Sequence, residues 1–135
     1  MMNEEQKQLL EAAHRAANLA YAPYSKFRVG AAVLTPDGIF SGANIETAST
    51  NLGICAERAA ITHARMNSQN TITGIAVACP DARPGEDGTI EENGAMPCGA
   101  CRQWIAELAP TAWIVVSSSE RVYSLDDLLP HAFTL

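Results

Sequence analysis

The residues best suited to chemistry fall in two short stretches, Cys55-Ala56-Glu57-Arg58 and Pro97-Cys98-Gly99-Ala100-Cys101-Arg102-Gln103. Cys98 and Cys101 have the C-x-x-C spacing with which two thiols grip one metal ion. Cys55 offers a third thiolate, and Glu57 adds a carboxylate able to carry protons. Zinc bound by three thiolates needs a fourth ligand. Where the protein supplies none, water takes that place and is acidified, which is a catalytic arrangement. A fourth protein ligand would make the zinc structural, and a metal-free C-x-x-C at a helix start would act in thiol redox chemistry. The residues alone leave all three readings open.

A chain of 135 residues, 47% of them hydrophobic, suffices for one globular domain over residues 1–135. No basic flank leads into an apolar run at the N-terminus, and no stretch approaches the ~18 uninterrupted apolar residues that cross a bilayer. A cytoplasmic protein without a membrane partner is therefore expected, its four cysteines reduced or metal-bound rather than paired. A formal net charge of -6, with nine Lys and Arg spread thinly, offers no basic patch for phosphates. That argues against nucleic acid and for a small uncharged substrate.

The elements that must position the thiols follow from the hydrophobic pattern. Leu9, Leu10, Ala13, Ala16, Ala17 and Ala20 recur at helical spacing between Asn3 and Tyr21, with Asn3 and Gln6 as a capping pair and Pro23 as the stop. Phe27–Leu34 and Ile39–Glu46 read as a hairpin around Thr35-Pro36-Asp37-Gly38. Cys55 opens a second helix, Ile72–Ala78 is a buried strand, and Pro97–Leu108 is a third helix opened by Cys98. Trp113–Val116 is a fourth strand and Val122-Tyr123 a short fifth, followed by a terminal turn capped by Ser124 and Asp127. This pattern predicts an α/β fold, a three-layer α/β/α sandwich with a mixed five-stranded sheet. Between the third strand and third helix, Asp81 to Ala95 carries five acidic residues, three Gly and one Pro, and is expected to be an exposed, mobile loop.

Helix starts hold thiolates well, because unpaired N–H groups and the positive dipole end face them. Three thiolates nevertheless leave a negative centre that opposes acidification of water, and a guanidinium bonded to a thiolate would offset this. Arg58 and Arg102 lie in the right turns; Arg102 reads better as a solvated surface residue. Glu57 points about 200° around the helix from Cys55, yet at a helix start it can still face a cavity.

Cys55-Ala56-Glu57 followed by Pro97-Cys98-Gly99-Ala100-Cys101-Arg102-Gln103 resembles the zinc signature of the cytidine deaminases, specifically the small, homotetrameric, three-cysteine type. The likeness extends over Ala22-Pro23-Tyr24-Ser25, Phe27-Arg28-Val29-Gly30-Ala31-Ala32, Asn44-Ile45-Glu46 and Leu128-Leu129-Pro130. The resemblance implies one zinc per chain on Cys55, Cys98 and Cys101. It also implies attack of water at C4 of cytosine, and Glu57 as the proton carrier that assists loss of ammonia in pyrimidine salvage. It further implies Asn44 and Glu46 at the ribose, Phe27 against the base, the Ala56 backbone at the base edge, and Phe133 reaching a neighbouring subunit's site.

Thr47 and Thr50 stand where the family usually carries Asn and an aromatic, and the stretch from Asp81 to Ala95 exceeds the usual connection. Another aminopyrimidine nucleoside, blasticidin S or an N4-substituted cytidine, is therefore the alternative substrate. A thioredoxin-like oxidoreductase would leave Cys55 and Glu57 unexplained. A structural zinc module would need Cys79, His14, His63 or His131 as its fourth ligand.

Overall fold

The computed structural model describes all residues from Met1 to Leu135. Helix α1 (Glu4–Ala17) opens with the expected capping box between Asn3 and Gln6, but it ends before Pro23 is reached, at Asn18. Tyr21 is then free to bridge Ile45, donating its N–H to the Asn44 carbonyl at 2.9 Å and accepting from Glu46 N at 2.8 Å. Strands β1 (Gly30–Thr35) and β2 (Gly38–Ala43) form the expected hairpin; β3 (Gly74–Ala78) pairs antiparallel with β1, and β4 (Trp113–Val116) parallel with β3. The mixed sheet runs β2-β1-β3-β4.

That sheet has four strands, not five. Val122-Tyr123 contributes only an isolated bridge, in which Ile114 and Tyr123 exchange two backbone bonds of 2.8 Å. The capping box of Ser124 and Asp127 then turns the chain into α4 (Leu125–Leu128) before a ladder can grow. The start of β1 differs as well: Phe27 to Val29 lie outside the ladder because side chains have claimed their backbone groups.

Strand alternation divides the core between the two faces of the sheet. On one face, Leu9, Ala12 and Ala13 of α1 pack on Ala32, Ala76, Ala78 and Val115. A side chain at Gly30 would lie 1.9 Å from the Ala13 carbonyl oxygen, so only glycine lets α1 approach so closely. On the other face, Ala60 and Ile61 of α2 (Ala56–Asn67) and Ile105 of α3 (Gly99–Leu108) cover Ala31, Val33, Ile75, Val77, Ile114 and Val116. Each fully buried aliphatic there contributes about 1.5–3 kcal/mol. Gly42 seats α2 on β2, since a Cβ would sit 2.5 Å from Ala60 N and 2.9 Å from the Ala56 carbonyl. Both site helices thus begin at fixed places on this face.

Candidate active site

Cys55 is the N-cap of α2 and Cys98 the N-cap of α3, each with extended φ and ψ and no side-chain capping bond. Cys101 follows in the first turn of α3 and is fully buried. Their sulfurs converge: Cys55 to Cys98 is 3.7 Å and Cys98 to Cys101 is 3.5 Å, all three lying within 4.8 Å of one another. Sulfurs at ~2.3 Å from a tetrahedral zinc would be about 3.8 Å apart, so the spacing fits one ion. Neither Cys79 nor any His or carboxylate joins the cluster. His63 is engaged elsewhere, its Nδ1 3.0 Å from the Ser41 carbonyl and its ring edge-on to Phe40.

The charges at the cluster point the same way. A hydrogen bond from Cys101, with Arg58 adding to it, lowers the Cys55 thiol despite its burial. That bond and burial push Cys101 up. A divalent cation among the sulfurs would favour the thiolate form of its ligands. Arg58 Nη2 donates to Cys55 Sγ at 3.4 Å, while its buried Nε has no partner. Arg102 is half-buried and is not on a thiolate. Its Nε donates to the Pro97 carbonyl at 2.8 Å and its Nη1 to the Leu128 carbonyl at 2.7 Å, tying the metal-binding turn to α4. This role was missed because a lone arginine in a helix turn carries no sequence signal for backbone clasping.

Glu57 is only 4% exposed and lines a cavity of about 430 Å³ that opens from the thiols. Burial, and then the charge of Cys55, raise its carboxyl above the usual range. Phe27, Asn44, Glu46 and Ala56 line the same cavity, as do Thr47 and Thr50. Phe133 does not; it is exposed, and its carbonyl accepts from Gln103 Nε2 at 3.0 Å.

The part of the cavity wall around Asn44 and Glu46 is held by polar side chains acting on backbone. Asn44 is buried, accepting from Val29 N at 2.8 Å and donating to the Phe27 carbonyl at 2.9 Å. Glu46 Oε1 accepts from Ser25 N at 3.0 Å and Tyr24 N at 3.2 Å, and Oε2 from the Ser25 hydroxyl at 2.5 Å. The Ser25 hydroxyl and N–H in particular hold the Glu46 carboxyl below its ordinary range. Residues 83–93 are exposed as expected, but both ends of that loop are anchored. Asp81 binds Arg28 with a pair of side-chain bonds of 2.8 and 2.9 Å. Glu92 accepts from the Tyr123 hydroxyl, and Ala95 N donates to Ser118 Oγ at 3.2 Å. Gly94 and Met96 then complete the cavity wall.

Residues 3–117 match the family model for the cytidine and deoxycytidylate deaminase zinc-binding region. The chain belongs to that family. A cytidine deaminase of Halalkalibacterium halodurans is 39% identical over 135 residues, covering 96% of this chain and 95% of that one. The crystal structure of the cytidine deaminase from Burkholderia pseudomallei aligns with a TM-score of 0.77 at 41% identity, over 98% of this chain and 100% of that one. The Mycobacterium tuberculosis cytidine deaminase aligns with a TM-score of 0.80 at 34% identity over 98% and 100% of the two chains. The matched region is a zinc-binding one, and in this chain Cys55, Cys98 and Cys101 are positioned to hold one metal ion.

Proposed function

We propose that the protein is a zinc-dependent hydrolase that converts cytidine and deoxycytidine to uridine and deoxyuridine with release of ammonia. One observation carries this reading: three thiols suited to one metal, with no fourth protein ligand, stand beside a buried carboxylate in a cavity of nucleoside size. Cys55, Cys98 and Cys101 would hold the zinc, which supplies Lewis acidity and lowers the pKa of water. Glu57, kept from solvent, would carry two protons in turn: one from the attacking water to ring N3, then a second from the hydroxyl of the adduct to the departing amine, which leaves as ammonia. Arg58 withdraws charge from Cys55, and the first-turn N–H groups of α2 around Ala56, which have no intrahelical partner, face the base edge.

Phe27 supplies an aromatic wall, and Asn44 and Glu46 meet the sugar hydroxyls. The only cation lining the cavity is Arg58, already engaged with Cys55, so nothing there matches a phosphate. This favours a nucleoside over a nucleotide. Thr47 and Thr50 in the wall keep a modified aminopyrimidine nucleoside as the second substrate reading. The proposal includes a three-layer sandwich, supported by core clusters on both sheet faces, and a homotetramer working in the cytoplasm. Assembly is supported by the exposed Phe133, which stands away from this chain's own cavity and is free to complete a neighbour's.

The test is to mix purified protein with cytidine, follow absorbance loss and ammonia release, and measure metal content. Turnover with about one zinc per chain is expected. Turnover only with another aminopyrimidine nucleoside would change the substrate; metal-free protein with two titratable thiols would favour the redox reading.

A further inference from the structure

The sugar end and the base wall of the cavity meet at one hydroxyl. Ser25 Oγ donates its proton to Glu46 Oε2 at 2.5 Å and accepts the N–H of Phe27 at 3.0 Å. A hydroxyl is the smallest group that can do both at once. The backbone between them has little freedom to compensate. Ala22 to Lys26 form a turn closed by Lys26 N on the Ala22 carbonyl at 3.0 Å, and Lys26 sits in the left-handed region at φ 59°, unusual for a side chain of its kind. Such a conformation persists where its surroundings enforce it, and here the Glu46 carboxylate does so, taking two N–H groups and the hydroxyl of the turn. Tyr24, Ser25, Phe27 and Glu46 all line the cavity. Ser25 is exposed and so has no core-packing role that would explain its contacts.

We infer that Ser25 is a positioning residue that couples sugar recognition by Glu46 to base recognition by Phe27, so that one hydroxyl sets both. This rests on the proposed nucleoside deaminase function. With its carboxylate oriented by the turn, Glu46 keeps one lone pair, on Oε2, for a sugar hydroxyl. With its N–H anchored, Phe27 keeps its ring at a fixed height over the base.

The test compares KM and kcat for cytidine and for 2′,3′-dideoxycytidine, which lacks the 2′ and 3′ hydroxyls. Ser25→Ala is expected to raise KM for cytidine about tenfold and for the dideoxy analogue about threefold, with kcat within about twofold of wild type; the sizes match the loss of one to two modest hydrogen bonds. Ser25→Cys, with a weak donor and similar volume, is expected to behave like Ser25→Ala and serves if the alanine variant does not fold. Ser25→Thr, retaining the hydroxyl, restores wild-type constants. An equal rise for both nucleosides, a rise for cytidine alone, a fall in kcat at unchanged KM, or a threonine variant as impaired as the alanine one would each overturn the coupling. Wild-type protein inactive on cytidine would overturn the deaminase reading itself, a result distinct from any of these.

Discussion

At the thiol end of the cavity, Cys55, Glu57, Cys98 and Cys101 take their places from the starts of α2 and α3. At the end lined by Phe27, Asn44 and Glu46, the chain lies outside the sheet ladder and is fixed by side-chain bonds to backbone. A helix start fixes its residues through a backbone that the core already holds, so one residue can be exchanged there without loosening its neighbours. A segment held by clasps depends on each clasp. Chemistry and stability should therefore separate at the first end and move together at the second.

Glu57→Gln breaks this comparison most sharply if it is wrong. The substitution keeps the shape of a buried side chain while removing the proposed proton carrier, so kcat is expected to fall by about 10²–10⁴-fold. Zinc content and thermal midpoint should not fall, because the thiols and the helix start are untouched. Metal analysis and calorimetry beside steady-state kinetics check this; an active variant removes Glu57 from the mechanism, and a metal-free one makes it a structural support.

Asn44→Ala probes the other end. It leaves the Val29 N–H and the Phe27 carbonyl without partners, at about 1–3 kcal/mol each where water does not reach them. A midpoint lower by about 10 °C is expected, together with a raised KM, since the same side chain holds the Phe27 segment. A higher KM at unchanged stability would mean that Asn44 acts on substrate alone.

The same contrast explains what could be read from the sequence. The spacing of Cys98 and Cys101, the place of Cys55 before an apolar helical run, and the capping pair Asn3 and Gln6 are local signals, and the structure follows them. The strand expected from Phe27 onward instead begins at Gly30, because Asn44, Ser25 and Asp81, distant in sequence or silent in periodicity, capture the backbone of residues 27–29. The fifth strand was lost to the competing cap at Ser124. Arg102 looked solvated because its two carbonyl partners belong to a turn and to a helix end that only the fold brings together. Arg58 was legible since its partner Cys55 lies three residues away, one helical turn.

A smaller effect separates the two kinds of clasp on the Phe27 segment. Asn44 is neutral, whereas Asp81 accepts from Arg28 N at 2.9 Å and from its guanidinium, which hold the Asp81 carboxyl down at about 2. An unfolded Asp titrates near ~3.9, so the folded state binds the proton more weakly, and the clasp stabilises folding fully above that value. Its contribution is lost as pH falls from ~4 through about 2. The gap in urea midpoint between wild type and Asp81→Asn should thus be constant from pH 7 to about 5 and close toward pH 2, while the gap for Asn44→Ala stays open. Both partners are partly exposed, so added salt should narrow the Asp81 gap at neutral pH as well. A gap insensitive to both pH and salt would mean that Asp81 holds Arg28 through hydrogen-bond geometry that Asn cannot copy, and the two clasps would then be of one kind.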